Sequence, residues 1–61
     1  MLSEESFNLL VDEIMAQGYT EETAAEYAAL IGDAPVRDEY GRVLVMKDGV
    51  VLAALVLRFF D

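Results

Sequence analysis

The apolar residues Phe7, Leu10, Val11 and Ile14 recur at the i, i+3, i+4, i+7 spacing that lines one side of a helix, while Glu4, Glu5, Asp12 and Glu13 fall mostly on the other. This predicts an amphipathic helix over Ser3 to Gln17. Ser3 is a suitable N-cap, the glutamates after it sit where the helix dipole favours negative charge, and Leu2 can staple onto Phe7. Gly18 supplies the left-handed residue that stops the helix. A second helix follows at once, with Thr20 as N-cap, Glu21 and Glu22 in its first turn and Gly32 as terminator. Its inner face is Ala24, Tyr27, Ala28 and Ile31. The alanines predict close approach to the first helix, and the short Gly18-Tyr19 connection forces an αα-hairpin. Pro35 closes this half of the chain.

From Val36 the period changes to that of strands. Asp38-Glu39-Tyr40-Gly41 reads as a type I turn with glycine in the left-handed position, joining a short strand near Val36 to one from Arg42 to Lys47. Asp48-Gly49 is a two-residue hairpin signal, and Val50 to Phe60 is the returning strand; the β-branched Val50, Val51 and Val56 favour that reading over a helix. Counting outward from the turn pairs Lys47 with Val50, Met46 with Val51, Leu44 with Ala53 and Arg42 with Leu55. On that count Leu44, Met46, Val51, Ala53, Leu55, Leu57 and Phe59 form the face that the helices cover. Val43, Val45, Val50, Leu52, Ala54 and Val56 form the opposite face, which is too apolar to be left wet. The expected fold is α+β in the order ααβββ: an N-terminal αα-hairpin (residues 1–34) packed on a C-terminal two- or three-stranded antiparallel β-meander (residues 35–61), together one domain.

Composition supports a folded chain. At 56% apolar residues with a net charge of −8 and a mean hydropathy of +0.34, it is far too apolar for a disordered acidic tail. A chain of 61 residues buries only about 60% of the surface that its unfolded form exposes. Domains of this size are often reinforced by disulfides, a structural metal or a partner subunit. With no cysteine and no histidine, oligomerisation or a well-packed core is left, and no cofactor or metal is expected. The lack of cysteine fits a cytoplasmic protein. Met1 to Leu10 has no basic n-region and carries Glu4 and Glu5 where the apolar part of a signal peptide would lie. The longest apolar run, Val50 to Leu57, is eight residues, against about 20 for a membrane span.

Candidate chemistry is sparse. The hydroxyls outside tyrosine are Ser3, Ser6, Thr20 and Thr23, each at the N-cap or third position of a predicted helix, where hydroxyls satisfy orphan backbone N–H groups. Without histidine or cysteine there is no usual base or thiolate to activate a nucleophile. Paired carboxylates need a cleft to separate their pKa values, for which a domain this small has little room. Glu22, Glu26 and Asp33 are a conceivable hard-cation set, but no D-x-D-x-D-G loop accompanies them. The expectation is a protein that is not an enzyme.

Charge is more informative. Residues 1–36 hold eight acids (Glu4, Glu5, Asp12, Glu13, Glu21, Glu22, Glu26, Asp33) and no base, whereas residues 37–61 hold four of each. Helices meant only to be soluble mix signs, because Glu-to-Lys pairs four residues apart add stability. Such a surface repels nucleic acid and attracts basic proteins. Dipole compensation accounts for Glu4, Glu5, Glu21 and Glu22, leaving Asp12, Glu13, Glu26 and Asp33 to be explained. The partner-binding candidates are therefore Asp12, Glu13, Glu21, Glu22, Glu26 and Asp33, with Tyr19 as an aromatic anchor and Tyr40 as a second. Reversing Asp12, Glu13 and Glu26 is expected to abolish binding without unfolding the protein.

In size, acidity and lack of catalytic groups the chain resembles small phage-encoded inhibitors, including anti-CRISPR proteins. The resemblance is compositional and carries no functional residue across. It implies an inhibitor that mimics phosphate charge and docks on the nucleic-acid-binding surface of a partner such as a CRISPR effector. The alternatives are an antitoxin-like regulator of a basic toxin, and a homodimeric assembly module joined through the second sheet face at Val43, Val45, Leu52 and Val56. The Gln17-Gly18-Tyr19 corner is similar to the loop of ubiquitin-associated domains; those are three-helix bundles, which the hairpin signals here oppose.

Overall fold

A computed structural model describes all residues, Met1–Asp61. Two helices, α1 (Glu4–Met15) and α2 (Glu21–Ile31), precede three strands, β1 (Val36–Arg37), β2 (Val43–Lys47) and β3 (Val50–Leu55). The strands form one antiparallel sheet in the order β1-β2-β3. The α+β meander expected from the pattern is therefore present, in its three-stranded form.

The helix ends follow from local chemistry. The Ser3 hydroxyl accepts from the Ser6 N–H at 3.1 Å, and the Thr20 hydroxyl accepts from the Thr23 N–H at 3.2 Å. Ser6 and Thr23 thus contribute their backbone N–H groups to the caps. Past each helix the chain reverses at a glycine with positive φ, Gly18 at 102° and Gly32 at 62°, a region open to glycine without steric cost. The connection sets the helices side by side. Met15 of α1 lies near Glu21 and Ala25 of α2, while Phe7 lies near Ala28 and Ala29, so the pair is antiparallel.

The core takes Leu10, Val11 and Ile14 from α1 and Ala24, Ala28 and Ile31 from α2. Both alanines are fully buried, as close approach of the helices requires. Phe7 and Tyr27, expected on the inner faces, are half-buried at the margin of this core.

The sheet corrects the sequence expectation at one point, and much follows from it. Asp48 and Gly49 have φ of 53° and 77°, the left-handed pair that a two-residue type I′ turn requires. Lys47 pairs with Val50 and Met46 with Val51, as counted. Between Met46 and Val45 the register then shifts by one: Val45 pairs with Ala53, Leu44 with Ala54 and Val43 with Leu55, leaving Leu52 without a partner. An extra residue of this kind is a β-bulge, which exchanges the faces of everything beyond it relative to the other strand. Val43, Val45, Leu55 and Leu57 therefore face the helices and are buried, with Ala53 half-buried among them. Val43 and Val45 are core residues, not members of a self-association face. The outer face consists instead of Leu44, Met46, Val51, Ala54 and Val56, with Val36 beside Leu44 and the exposed Leu52 at the bulge.

The last strand is also shorter than the apolar run, ending at Leu55 rather than Phe60. Both oxygens of the Glu13 carboxylate, on α1, accept hydrogen bonds from the backbone N–H groups of Arg58 and Phe59, the latter at 3.0 Å. Those N–H groups are consequently turned toward α1 and are not available to a ladder. The tail closes in a tight turn, with Asp61 N–H donating to the Arg58 carbonyl at 3.0 Å, and stacks Phe59 edge-on to Phe60 at 4.9 Å. Arg37 reaches over from β1 to the carbonyls of Gly41 (3.0 Å) and Phe60 (3.4 Å) and pairs with Asp61 at 3.7 Å. Gln17 donates to the Val56 carbonyl at 2.9 Å, fixing the end of α1 to the same segment.

Candidate docking surfaces

The eight helical acids divide by what they touch. Glu4, Glu5, Glu21 and Glu22 are exposed in the first turns of their helices, where the unpaired N–H groups make negative charge favourable. Glu13 is occupied by the C-terminal turn, as described. Its half-buried carboxylate is a structural clasp, and its reversal would eject the tail. The expected reversal of Asp12, Glu13 and Glu26 together therefore includes one acid that holds the C-terminal turn. Asp33 pairs with the Met1 ammonium, whose hydrogen bond and charge hold the Asp33 carboxyl below the usual carboxylate range. Glu26 stands 3.9 Å from the Lys47 ammonium, both more than half exposed, a surface pair worth about 0–1 kcal/mol.

Asp12 has neither a cation nor a helix terminus to account for it. It lies with Glu21 on a shallow groove between α1 and α2, floored by Phe7, Val11, Met15 and Ala25, with Asn8 on the rim. Acidic edges over an apolar floor suit a long basic side chain, whose methylenes cover the floor while its charge stays at the rim. Tyr19 is half-buried and stacks edge-on to Tyr27 at 5.3 Å, so its ring is largely committed to the helical layer. The acids Glu22, Glu26 and Asp33 are not gathered, and no three acidic side chains converge.

The second surface is the outer face of the sheet. Val36, Val51 and Val56 are each at least half exposed, and Met46 and Leu52 are exposed by 37% and 42%. At its end sits an ordered polar corner. One Asp38 oxygen accepts from Tyr40 N–H at 2.9 Å and Arg42 N–H at 2.8 Å, and the other meets Arg42 Nε at 2.6 Å. Desolvation pushes the Asp38 carboxyl up, but the Arg42 N–H, the Arg42 guanidinium and the Tyr40 N–H outweigh it and hold the group below its ordinary value. The Arg42 guanidinium also lies 5.3 Å from the centre of the Tyr40 ring, which is 75% exposed. Of these residues only Leu52, Val56 and Tyr40 were indicated by the sequence. Alternation alone places Leu44, Met46 and Val51 on the covered face, because nothing in an apolar run marks where a bulge falls.

No helix is long and apolar enough to cross a membrane. No protein family, curated protein or solved structure matches the chain.

Proposed function

We propose that the protein is a non-catalytic binding protein whose acidic helical hairpin docks on a basic, nucleic-acid-binding surface of another protein and competes there with phosphate. The observation that carries this reading is the groove between α1 and α2, where Asp12 and Glu21 stand without a cation in a half of the chain that contains no lysine or arginine. Glu22, also exposed, adds to the same end of the hairpin, because α2 begins where α1 ends. Glu13, Asp33 and Tyr19 already have partners within the chain, and Glu26 stands near Lys47. The docking set is thereby reduced to Asp12, Glu21 and Glu22. A CRISPR effector carrying its guide RNA is the partner class that the compositional resemblance names.

The test is a competition. Target DNA bound to a guide-RNA–protein effector is titrated with the protein between about 50 mM and about 200 mM salt, and DNA release is followed by fluorescence anisotropy. Release that weakens steeply with salt, and is lost in Asp12→Lys/Glu21→Lys with the fold intact by circular dichroism, is the expected result. Binding that leaves DNA in place, or that is indifferent to salt, would end the phosphate-mimic reading.

A further inference from the structure

We propose that the outer face of the sheet is a homodimer interface, in which two copies pack face to face across Leu44, Met46, Val51 and Val56. The face is contiguous and apolar, and the one acid that strand alternation puts on it, Asp38, is already paired with Arg42. Monomers rarely leave such a patch wet.

Three observations favour a second copy as the occupant. The first is charge. The net −8 resides in residues 1–36, whose helices cover the opposite face of the sheet, while residues 37–61 sum to zero. Two copies joined sheet to sheet hold their acidic helices at opposite poles, whereas contact through the helices sets like charges against each other. A basic partner, in contrast, is drawn to the helical layer. The second is size. Only ten residues are buried in each chain and no disulfide is present, so a partner subunit supplies the apolar burial that a chain this small lacks. The longest strand of the sheet has six residues, so the face is small and the dimer it forms is a weak one. The third distinguishes face from edge. β3 is an outer strand of the sheet, but its ladder is interrupted by the bulge at Leu52, a device that blunts strand-to-strand addition. The face carries exposed apolar side chains on both sides of the bulge, Val51 before it and Val56 after it, and sheets stack through apolar faces.

Sedimentation equilibrium of the full chain from about 10 μM to about 1 mM spans the range expected for an interface of this size. The expected result is a rise from 6.8 kDa toward twice that mass, with association unchanged or tightened by added salt. Docking to a basic partner moves the other way, so the two readings fail separately. Met46→Glu, next to the last residue of β2, and Val56→Glu, 72% exposed, each place two like charges together across a two-fold axis. Each is expected to weaken the dimer at least about 100-fold, which corresponds to about 2.7 kcal/mol, with the circular dichroism of the monomer unchanged. Asp12→Lys, on the helical layer, leaves the mass unchanged. A single mass of 6.8 kDa over the whole range, or a dimer that survives Met46→Glu and Val56→Glu, overturns the proposal.

Discussion

Glu13 is the acid whose removal tests the structure most directly, because its two hydrogen bonds join α1 to residues 45 and 46 positions later in the chain. Hydrogen bonds to a charged group contribute about 1.5–3 kcal/mol, and an N–H left without a partner away from water costs about 1–3 kcal/mol. The Arg58 N–H lies near the surface and regains water on loss of the carboxylate, whereas the Phe59 N–H is partly buried and does not fully recover. Glu13→Ala is therefore expected to destabilise by about 2–3 kcal/mol. Glu13→Gln, which keeps one acceptor oxygen but no charge, is expected to destabilise by about 1 kcal/mol. For a domain of this length the whole stability is of the order of 3–9 kcal/mol, so the alanine variant loses at least about a fifth of it. At about 4–8 °C per kcal/mol, its Tm falls by about 10–20 °C. Asp12→Ala is the matched control: an acid one position earlier on the same helix, exposed and without a partner, for which a change within about 0.5 kcal/mol is expected. Thermal and urea denaturation followed at the helical circular dichroism signal give both quantities. If Glu13→Ala and Asp12→Ala unfold at the same urea concentration, the clasp contributes nothing to stability.

Two further outcomes concern the turns. The Asp38 carboxyl titrates below its ordinary value in the folded protein, so its contribution is fully present above the unfolded carboxylate range and is lost as the pH falls through the lowered folded value. Asp38→Asn is thus expected to be less stable than the parent at neutral pH, with a gap that closes in acid; a gap in urea midpoint that stays constant down to about pH 2 contradicts the assignment. Gly49 has φ of 77° with open space where a Cβ would stand, so Gly49→Ala carries only the backbone penalty of about 1–2 kcal/mol. A larger loss in urea midpoint, or a changed pairing of Lys47 with Val50 by NMR, would show that the turn does more than reverse the chain.

The parts of the fold that were legible in the sequence are those governed by chemistry within a few residues. Ser3 and Thr20 cap the helices, Gly18 and Gly32 end them, and Asp48-Gly49 makes the hairpin turn, because each needs only its neighbours to act. The bulge at Leu52 was not legible. Register is read from alternation between apolar and polar residues, and on either side of Lys47 and the Asp48-Gly49 turn both faces of the hairpin are apolar, so an inserted residue breaks no pattern. The end of β3 was hidden for the same reason, since Val56 to Phe60 stays largely apolar while the chain leaves the sheet. Glu13 has the spacing of a surface charge, because its partners are main-chain N–H groups far along the chain, which leave no side-chain signature. The exposure of Asp12, Glu21 and Glu22, by contrast, followed directly from helical spacing.

The unpaired residue of the hairpin gives the domain a tolerance to changes in chain length. Because β2 and β3 are out of step by one beyond Met46, loss of a single residue between Leu52 and Ala54 can be taken up by straightening the ladder, with Leu55 and Leu57 still directed at the helices. A deletion within β2 has no such slack: it would turn Val43 or Val45 outward and carry an apolar core position into water. Short insertions and deletions among relatives of this chain should accordingly collect on one strand of the hairpin and spare the other.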